Sequence, residues 1–174
     1  MNSIYRYAAV AVCLVFIVAG YGAVQGSDQS VIKSTDGVSQ ITVPKGWKEM
    51  KGLNDEASLQ AAYAAKELYV IVMTEAKEDF DKMTASKYSE LTRKPIVEAL
   101  SSAKEEKVGN VKIAGQSAVQ YKIQGTIDNI KVVYLHTTVE GSKHFHYILA
   151  WTLRSKYEKN KDVLQQVIKS FKER

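Results

Sequence analysis

The amino-acid sequence predicts an α+β fold, in which an antiparallel sheet carries one helix inserted midway along the chain and a second helix at its C-terminal end. Three long apolar-rich segments with two-residue turns between them predict the sheet. Helical periodicity occurs twice, once before these segments and once after them. The 174 residues, 45% hydrophobic and 25% charged, have the composition of one globular domain with room for a short extra segment.

The N-terminal residues are predicted to be separate from that domain. Arg6 and the amino terminus provide a positive start, and residues 8–19 form an uninterrupted apolar run. This length is typical of a secretory signal peptide and short for a membrane span, which needs about 20 residues. We therefore expect residues 1–26 to be a signal peptide or, alternatively, an uncleaved N-terminal anchor. Residues 27–174 then form a single domain outside the cytoplasm, either periplasmic or secreted.

The single cysteine and the charge pattern exclude several classes of protein. Cys13 is the only cysteine, so the chain has no intramolecular disulfide and no zinc ribbon. A lipid-modified cysteine needs a small residue directly before it, and Val12 occupies that position. Cys13 is therefore interpreted as a small hydrophobic residue of the signal. The net charge is +5, but lysines and acidic residues are interleaved, which argues against nucleic-acid binding.

Two hairpins are predicted in the first part of the domain. Short strands over Val31–Thr35 and Val38–Val43 flank Asp36-Gly37, a dipeptide that favours a type I′ turn. A second pair covers Ser58–Ala64 and Leu68–Thr74. The last of these strands is apolar on both faces, which is typical of a central strand.

Two helices are predicted from their apolar spacing. The first covers Thr84–Ala103 and should be kinked or divided at Pro95. The second begins with a capping box made of Ser155 and Glu158. Its apolar stripe consists of Leu164, Val167, Ile168 and Phe171.

The three long strands are Ala118–Ile127, Ile130–Glu140 and Lys143–Leu153, with turns at Asp128-Asn129 and Gly141-Ser142. Two-residue turns there pair position 118 with 139 and position 140 with 143. One face, predicted as a core face, then collects Val119, Tyr121, Ile123, Ile127, Val132, Tyr134, Phe145, Tyr147, Leu149, Trp151 and Leu153. The other face is mixed and collects Gln120, Lys122, Gln124, Val133, Leu135, Val139, His144, His146, Ile148 and Ala150.

Three segments resemble those of PsbP-like domains. They are the strand and turn Gly37–Trp47 (GVSQITVPKGW), the stretch Val111–Tyr121 (VKIAGQSAVQY) and the terminal Val167–Lys172 (VIKSFK). The resemblance implies an α/β/α sandwich with a central antiparallel sheet, shared with the Ran guanine-nucleotide release factor. It also implies a binding or assembly protein, because most members of the family are not enzymes. Many bacterial members are secreted, so the resemblance implies export as well. Val38 departs from the pattern, which has an aromatic residue there, and no feature specific to photosystem binding is present.

The three histidines are the candidates for chemistry. His144 and His146 share one face of a strand and are a possible metal pair, but no carboxylate is expected opposite either, so they are interpreted as a surface or half-buried pair. His136 is predicted in a row between Tyr121 and Tyr147, where it would be a proton shuttle or, more often, a hydrogen-bonded residue of the core or its rim. No metal or cofactor is therefore assigned.

Other motifs fail on their spacing. An acidic run resembles a calcium loop, but Thr84 occupies the place of the glycine and Met83 that of an oxygen ligand. The segment around Ser117 resembles the G-x-S-x-G motif of a nucleophile elbow but has Val119 in place of its final glycine. No P-loop, HExxH or dinucleotide-binding motif occurs. With no convergent catalytic set in the sequence, we do not expect an enzyme.

The sequence thus predicts a secreted, non-enzymatic binding or assembly-assisting protein whose partner is a protein of the cell envelope. The alternative is a metal-dependent or histidine-using hydrolase of the envelope. Membrane contact is expected only if residues 7–27 are retained as an anchor. Trp47 is expected either at the edge of the sheet or as a plug at the end of the core. The possible contact surface comprises Trp47, Gln120, Lys122, Gln124, Glu140 and Lys143.

Overall fold

The computed structural model describes residues 29–174, so the predicted signal peptide or anchor, with Cys13, lies outside the described residues. Within these residues the α+β prediction is confirmed. The two α-helices are α1 (Ala85–Glu98) and α2 (Arg154–Lys169). The strands are β1 (Gln29–Lys33), β2 (Ser39–Pro44), β3 (Lys48–Glu49), β4 (Leu59–Tyr63), β5 (Leu68–Ala76), β6 (Ser101–Ile113), β7 (Gln116–Ile127), β8 (Ile130–Glu140), β9 (His144–Leu153) and β10 (Lys172–Glu173). No helix in residues 29–174 is long and apolar enough to cross a membrane.

The strands form two antiparallel sheets. The large one has seven strands in the order β3-β4-β5-β9-β8-β7-β6, and the small one has three in the order β1-β2-β10. The apolar strand β5 lies between β4 and β9, which agrees with its prediction as an internal strand. The last residues of the chain therefore form the edge of the small sheet.

The two helices cover opposite faces of the large sheet, which makes the fold an α/β/α sandwich. The first predicted face packs on α1, with Tyr134, Phe145 and Trp151 among its buried residues. The second packs on α2 and on the small sheet, with Leu135 and Ile148 in that core. Both face assignments are confirmed.

One of the two predicted registers is correct. Ala118 pairs with Val139, and Asp128 and Asn129 form the turn with φ of 48° and 65°, as a type I′ turn requires. In the next hairpin, position 140 pairs with Phe145 and not with 143. The turn there is Ser142-Lys143, one residue later than predicted. Because a shift of two keeps every side chain on its face, the face assignments are unaffected.

The first predicted helix is too long. It ends at Glu98, and strand β6, which was not predicted, begins at Ser101. Pro95 lies in the last turn and does not divide the helix. Strand β6 lies at the edge of the large sheet with most of its side chains exposed, so charged residues there lack the alternation that identifies a strand.

Two predicted local signals are also wrong. Helix α2 begins at Arg154 without a side-chain cap, so Ser155 and Glu158 form no capping box. At the first turn, Gly37 has a φ of +75° but Asp36 is not in the left-handed region, so the turn is not type I′. A wider loop is closed there by Ser34 N–H donating to Ser39 O at 2.9 Å. The predicted stripe of α2 is fully buried, as expected.

Candidate functional site

Two histidines and one carboxylate converge where the large sheet meets the chain end. His144 and His146 are two residues apart on β9 and therefore point to the same face of the sheet. Helix α2 ends at Lys169, and the extended β10 brings Glu173 beside both imidazoles. Glu173 Oε1 lies 3.1 Å from His144 Nδ1 and 3.4 Å from His146 Nε2. One ligand atom from each of the three residues lies within 4.8 Å of the others.

The second oxygen of the Glu173 carboxylate is held by three donors. Oε2 accepts from Gln116 Nε2 at 2.9 Å, from Ser142 N at 2.8 Å and from Ser142 Oγ at 3.0 Å. Partial burial opposes ionisation, but these hydrogen bonds and that of His144 outweigh it and lower the pKa of Glu173 to about 2. A Cβ at Gly141 would lie 2.6 Å from Oε1, so any larger residue there would require the carboxylate to shift.

His146 is held from both sides of its ring. It is fully buried, its centroid lies 4.9 Å from that of Phe171, and its Nδ1 lies 3.0 Å from Thr74 Oγ1. Burial lowers its pKa despite the neighbouring carboxylate, so the ring is neutral at physiological pH. His144 keeps a quarter of its side chain exposed. The cluster thus has one buried and one accessible imidazole.

The sequence predicted the histidine pair but not its carboxylate. No acidic residue lies opposite either histidine in the large sheet, as expected, since Val139 pairs with His146. Glu173 instead arrives from 27 residues further along the chain. The available signal was its position two residues after the buried Phe171, because alternate residues of an extended segment share a side.

His136 is a core residue and not a proton shuttle exposed to substrate. It pairs with Tyr121 and Leu149, and its ring stacks on that of Tyr147 at 5.3 Å, so the predicted row is shifted by two residues. Its Nε2 lies 3.0 Å from Thr92 Oγ1. Complete burial, with a smaller contribution from a nearby arginine charge, lowers its pKa to about 3.

Two residues of the expected contact surface are buried. Trp47 is 5% exposed and belongs to the core beneath α2, so it plugs the core as its alternative interpretation held. Gln120 is 2% exposed. Its buried amide exchanges hydrogen bonds with Gln165 of α2 and donates to Thr137. Neither side chain is available to a partner in this structure.

The other four residues remain at the surface. Lys122 and Glu140 each form an ion pair, with distances of 2.7 and 3.0 Å between the charged atoms. Gln124 is partly exposed. Lys143 is exposed in the β8–β9 turn, next to the histidine cluster. The accessible part of the predicted surface is therefore divided between β7, with Lys122 and Gln124, and the β8–β9 turn, with Glu140 and the more exposed Lys143.

Comparisons with known proteins show the fold. No protein-family profile and no curated protein match the chain. Among solved structures, cyanobacterial PsbP from Synechocystis sp. PCC 6803 matches with a TM-score of 0.61 and 15% identity, over 90% of this chain and 99% of that one. LpqN, a protein involved in cell envelope biogenesis of Mycobacterium tuberculosis, matches with a TM-score of 0.58 and 11% identity, over 82% and 88%. The fold is PsbP-like.

Proposed function

We propose that the chain is a non-enzymatic binding domain that acts outside the cytoplasm and whose partner is a protein of the cell envelope. The observation that carries this proposal is the PsbP-like fold, which extends over nearly the whole chain. An envelope-biogenesis protein among the structural neighbours supports the same compartment. The charged start and apolar run of residues 1–26 support export.

The β8–β9 turn is the part of the surface that we assign to the partner. Ser142 and Lys143 project from the end of the sheet, and both are exposed. The turn is held in place, because Ser142 N–H and Oγ–H both donate to Glu173. A rigid exposed turn loses little conformational entropy on binding, which favours its use as a contact.

Site-specific photo-crosslinking in intact cells tests the proposal. A crosslinking amino acid at position 143 should capture one envelope protein, identified by mass spectrometry. The matched control is position 159, another exposed lysine, which lies on α2. Equal capture at both positions, or none at 143, would contradict this assignment of the surface.

The compartment is tested separately. Fractionation should place the chain outside the cytoplasm, and mass spectrometry of the mature N-terminus distinguishes a cleaved signal from a retained anchor. A cytoplasmic chain with Met1 intact would contradict export altogether.

The hydrolase alternative gains one observation, the convergence of Glu173 on His144 and His146. A general base must be free to take a proton from water or substrate. Both oxygens of Glu173 instead accept hydrogen bonds from residues of its own chain. Turnover of ester or peptide substrates that is abolished in His146→Ala would nevertheless favour the hydrolase.

A further inference from the structure

The geometry points to a zinc-type divalent metal site formed by His144, His146 and Glu173, with water as the fourth ligand. This inference does not rest on the proposed function. Two imidazole nitrogens and one carboxylate oxygen are a donor set that Zn²⁺ takes in proteins. One ligand atom from each residue lies within 4.8 Å of the other two, so a single ion can reach all three after small side-chain shifts.

The carboxylate is oriented for this role. Gln116 and Ser142 hold Glu173 Oε2, which leaves Oε1 directed at the two imidazoles. Metal-binding carboxylates are held in the same way by hydrogen bonds from outside the coordination shell. Gly141 completes the arrangement, because any larger residue there would displace the carboxylate.

Thr74 lets His146 adopt the tautomer that binds a metal. Without an ion, Nε2–H donates to Glu173 and Nδ1 accepts from the Thr74 hydroxyl. With an ion on Nε2, Nδ1–H donates to the same hydroxyl, because a threonine hydroxyl is both a donor and an acceptor. The buried ring is thus supported at Nδ1 in both states.

Access for an ion is provided by His144. Its side chain is one quarter exposed, whereas His146 is fully buried and Glu173 nearly so. An ion arriving from solvent meets His144 first, and the open side leaves room for a water ligand. The bound ion would join strand β9 to the last residues of the chain.

Zinc titration of the untagged chain, as processed by the producing cell, tests the site. Calorimetry should show one Zn²⁺ per chain, and Mg²⁺, which prefers oxygen ligands, should not compete. Co²⁺ should give the visible absorption bands of a tetrahedral site. The bound metal should also raise the melting temperature in proportion to its occupancy.

Variants separate the site from adventitious binding. Gln116→Ala, which removes only a support of the carboxylate, should weaken zinc binding by about 10–100-fold. His144→Ala and Glu173→Gln, which remove a ligand, should weaken it more. Glu140→Gln is the matched control, since this carboxylate lies at the other end of the same turn and pairs with Lys77.

His144→Ala decides the outcome if Glu173→Gln fails to fold, because His144 is partly exposed and belongs to neither hydrophobic core. Far-UV circular dichroism confirms that each variant is folded. Zinc binding that is unchanged in His144→Ala would overturn the proposal. Absence of one-to-one zinc binding by the unaltered chain would also overturn the proposal. The cluster would then have only a structural role, in which hydrogen bonds attach β10 to β9.

Discussion

Trp151 is a large buried side chain of the core facing α1. It is 5% exposed, stacks on Tyr69 with ring centroids 5.3 Å apart and lies 6.0 Å from Tyr134. Trp151→Ala should lower the free energy of unfolding by about 3–5 kcal/mol, because it leaves a cavity among buried aromatic rings. Urea denaturation measures this directly.

The matched surface variant is Lys122→Ala, on the opposite face of the sheet. Its ammonium pairs with Glu106, whose side chain is two-thirds exposed, so the ion pair is largely screened. The free energy of unfolding should change by no more than about 0.5 kcal/mol. A larger loss for Lys122→Ala than for Trp151→Ala would mean that the two faces play the reverse roles.

His136 should make stability depend on pH between about 6.5 and 3. Its pKa is lowered from 6.5 to about 3 in the fold. Between these pH values the imidazole is therefore protonated in the unfolded chain and neutral in the folded chain. Stability therefore falls as pH drops through this window, by about 2 kcal/mol at pH 5 for this group alone. Urea denaturation at pH 7 and pH 5 measures the loss.

His136→Gln provides the control, because its amide can still bond Thr92 but does not titrate. The variant should lose less stability on acidification than the unaltered chain. Some loss remains, since burial also lowers the pKa of His146. An identical loss in both proteins would show that His136 is protonated without cost in the fold.

Strand β6 carries the charge that protects the edge of the large sheet. Its side chains at Lys104 and Lys107 are exposed, and nothing in the described part of the chain pairs with its outer edge. An exposed strand edge is a template for pairing with another chain, and charged side chains, especially lysine, oppose that pairing. Replacing both lysines by valine should produce dimers or larger species, detected by light scattering.

The composition-matched control for that variant is Lys87→Val with Lys159→Val, on the exposed surfaces of the two helices. It removes the same charge and adds the same apolar groups but exposes no strand edge. Association in both variants to the same degree would attribute the effect to the lost charge or the added apolar surface, and not to the edge of strand β6.

The sequence predicts the internal strands of the large sheet better than it predicts the strand at its edge. The long strands could be predicted because one buried face imposes alternation, and that alternation survives the error of two positions at Ser142-Lys143. Strand β6 could not, because only Ile113, at the end of this edge strand, is buried, so no alternation of buried positions marks it. The histidine cluster was half predicted for a related reason. Its carboxylate comes from β10, a two-residue strand whose position depends on how α2 packs.

The last three residues connect the parts of the molecule. Lys172 and Glu173 pair with Gln40 and Ser39 of the small sheet, and the Arg174 N–H donates to Val38 O at 2.7 Å. The side chain of Glu173 meanwhile bonds the β8–β9 turn of the large sheet. The chain end therefore joins both sheets.

Deleting residues 172–174 should consequently destabilise the whole fold, although the deletion removes no core side chain and leaves Phe171 in place. Loss of the charged hydrogen bonds of Glu173 and of the pairing with β2 should lower the free energy of unfolding by at least about 2 kcal/mol at pH 7. Glu173→Gln keeps the strand pairing and isolates the contribution of the charge. Because the pKa of Glu173 is lowered from 4.5 to about 2, this contribution is complete above pH 4.5 and is lost as pH falls toward 2. The difference between the unaltered chain and Glu173→Gln should therefore shrink in that range in urea denaturation. A deletion variant as stable as the unaltered chain at pH 7 would show that the two sheets hold together without the chain end.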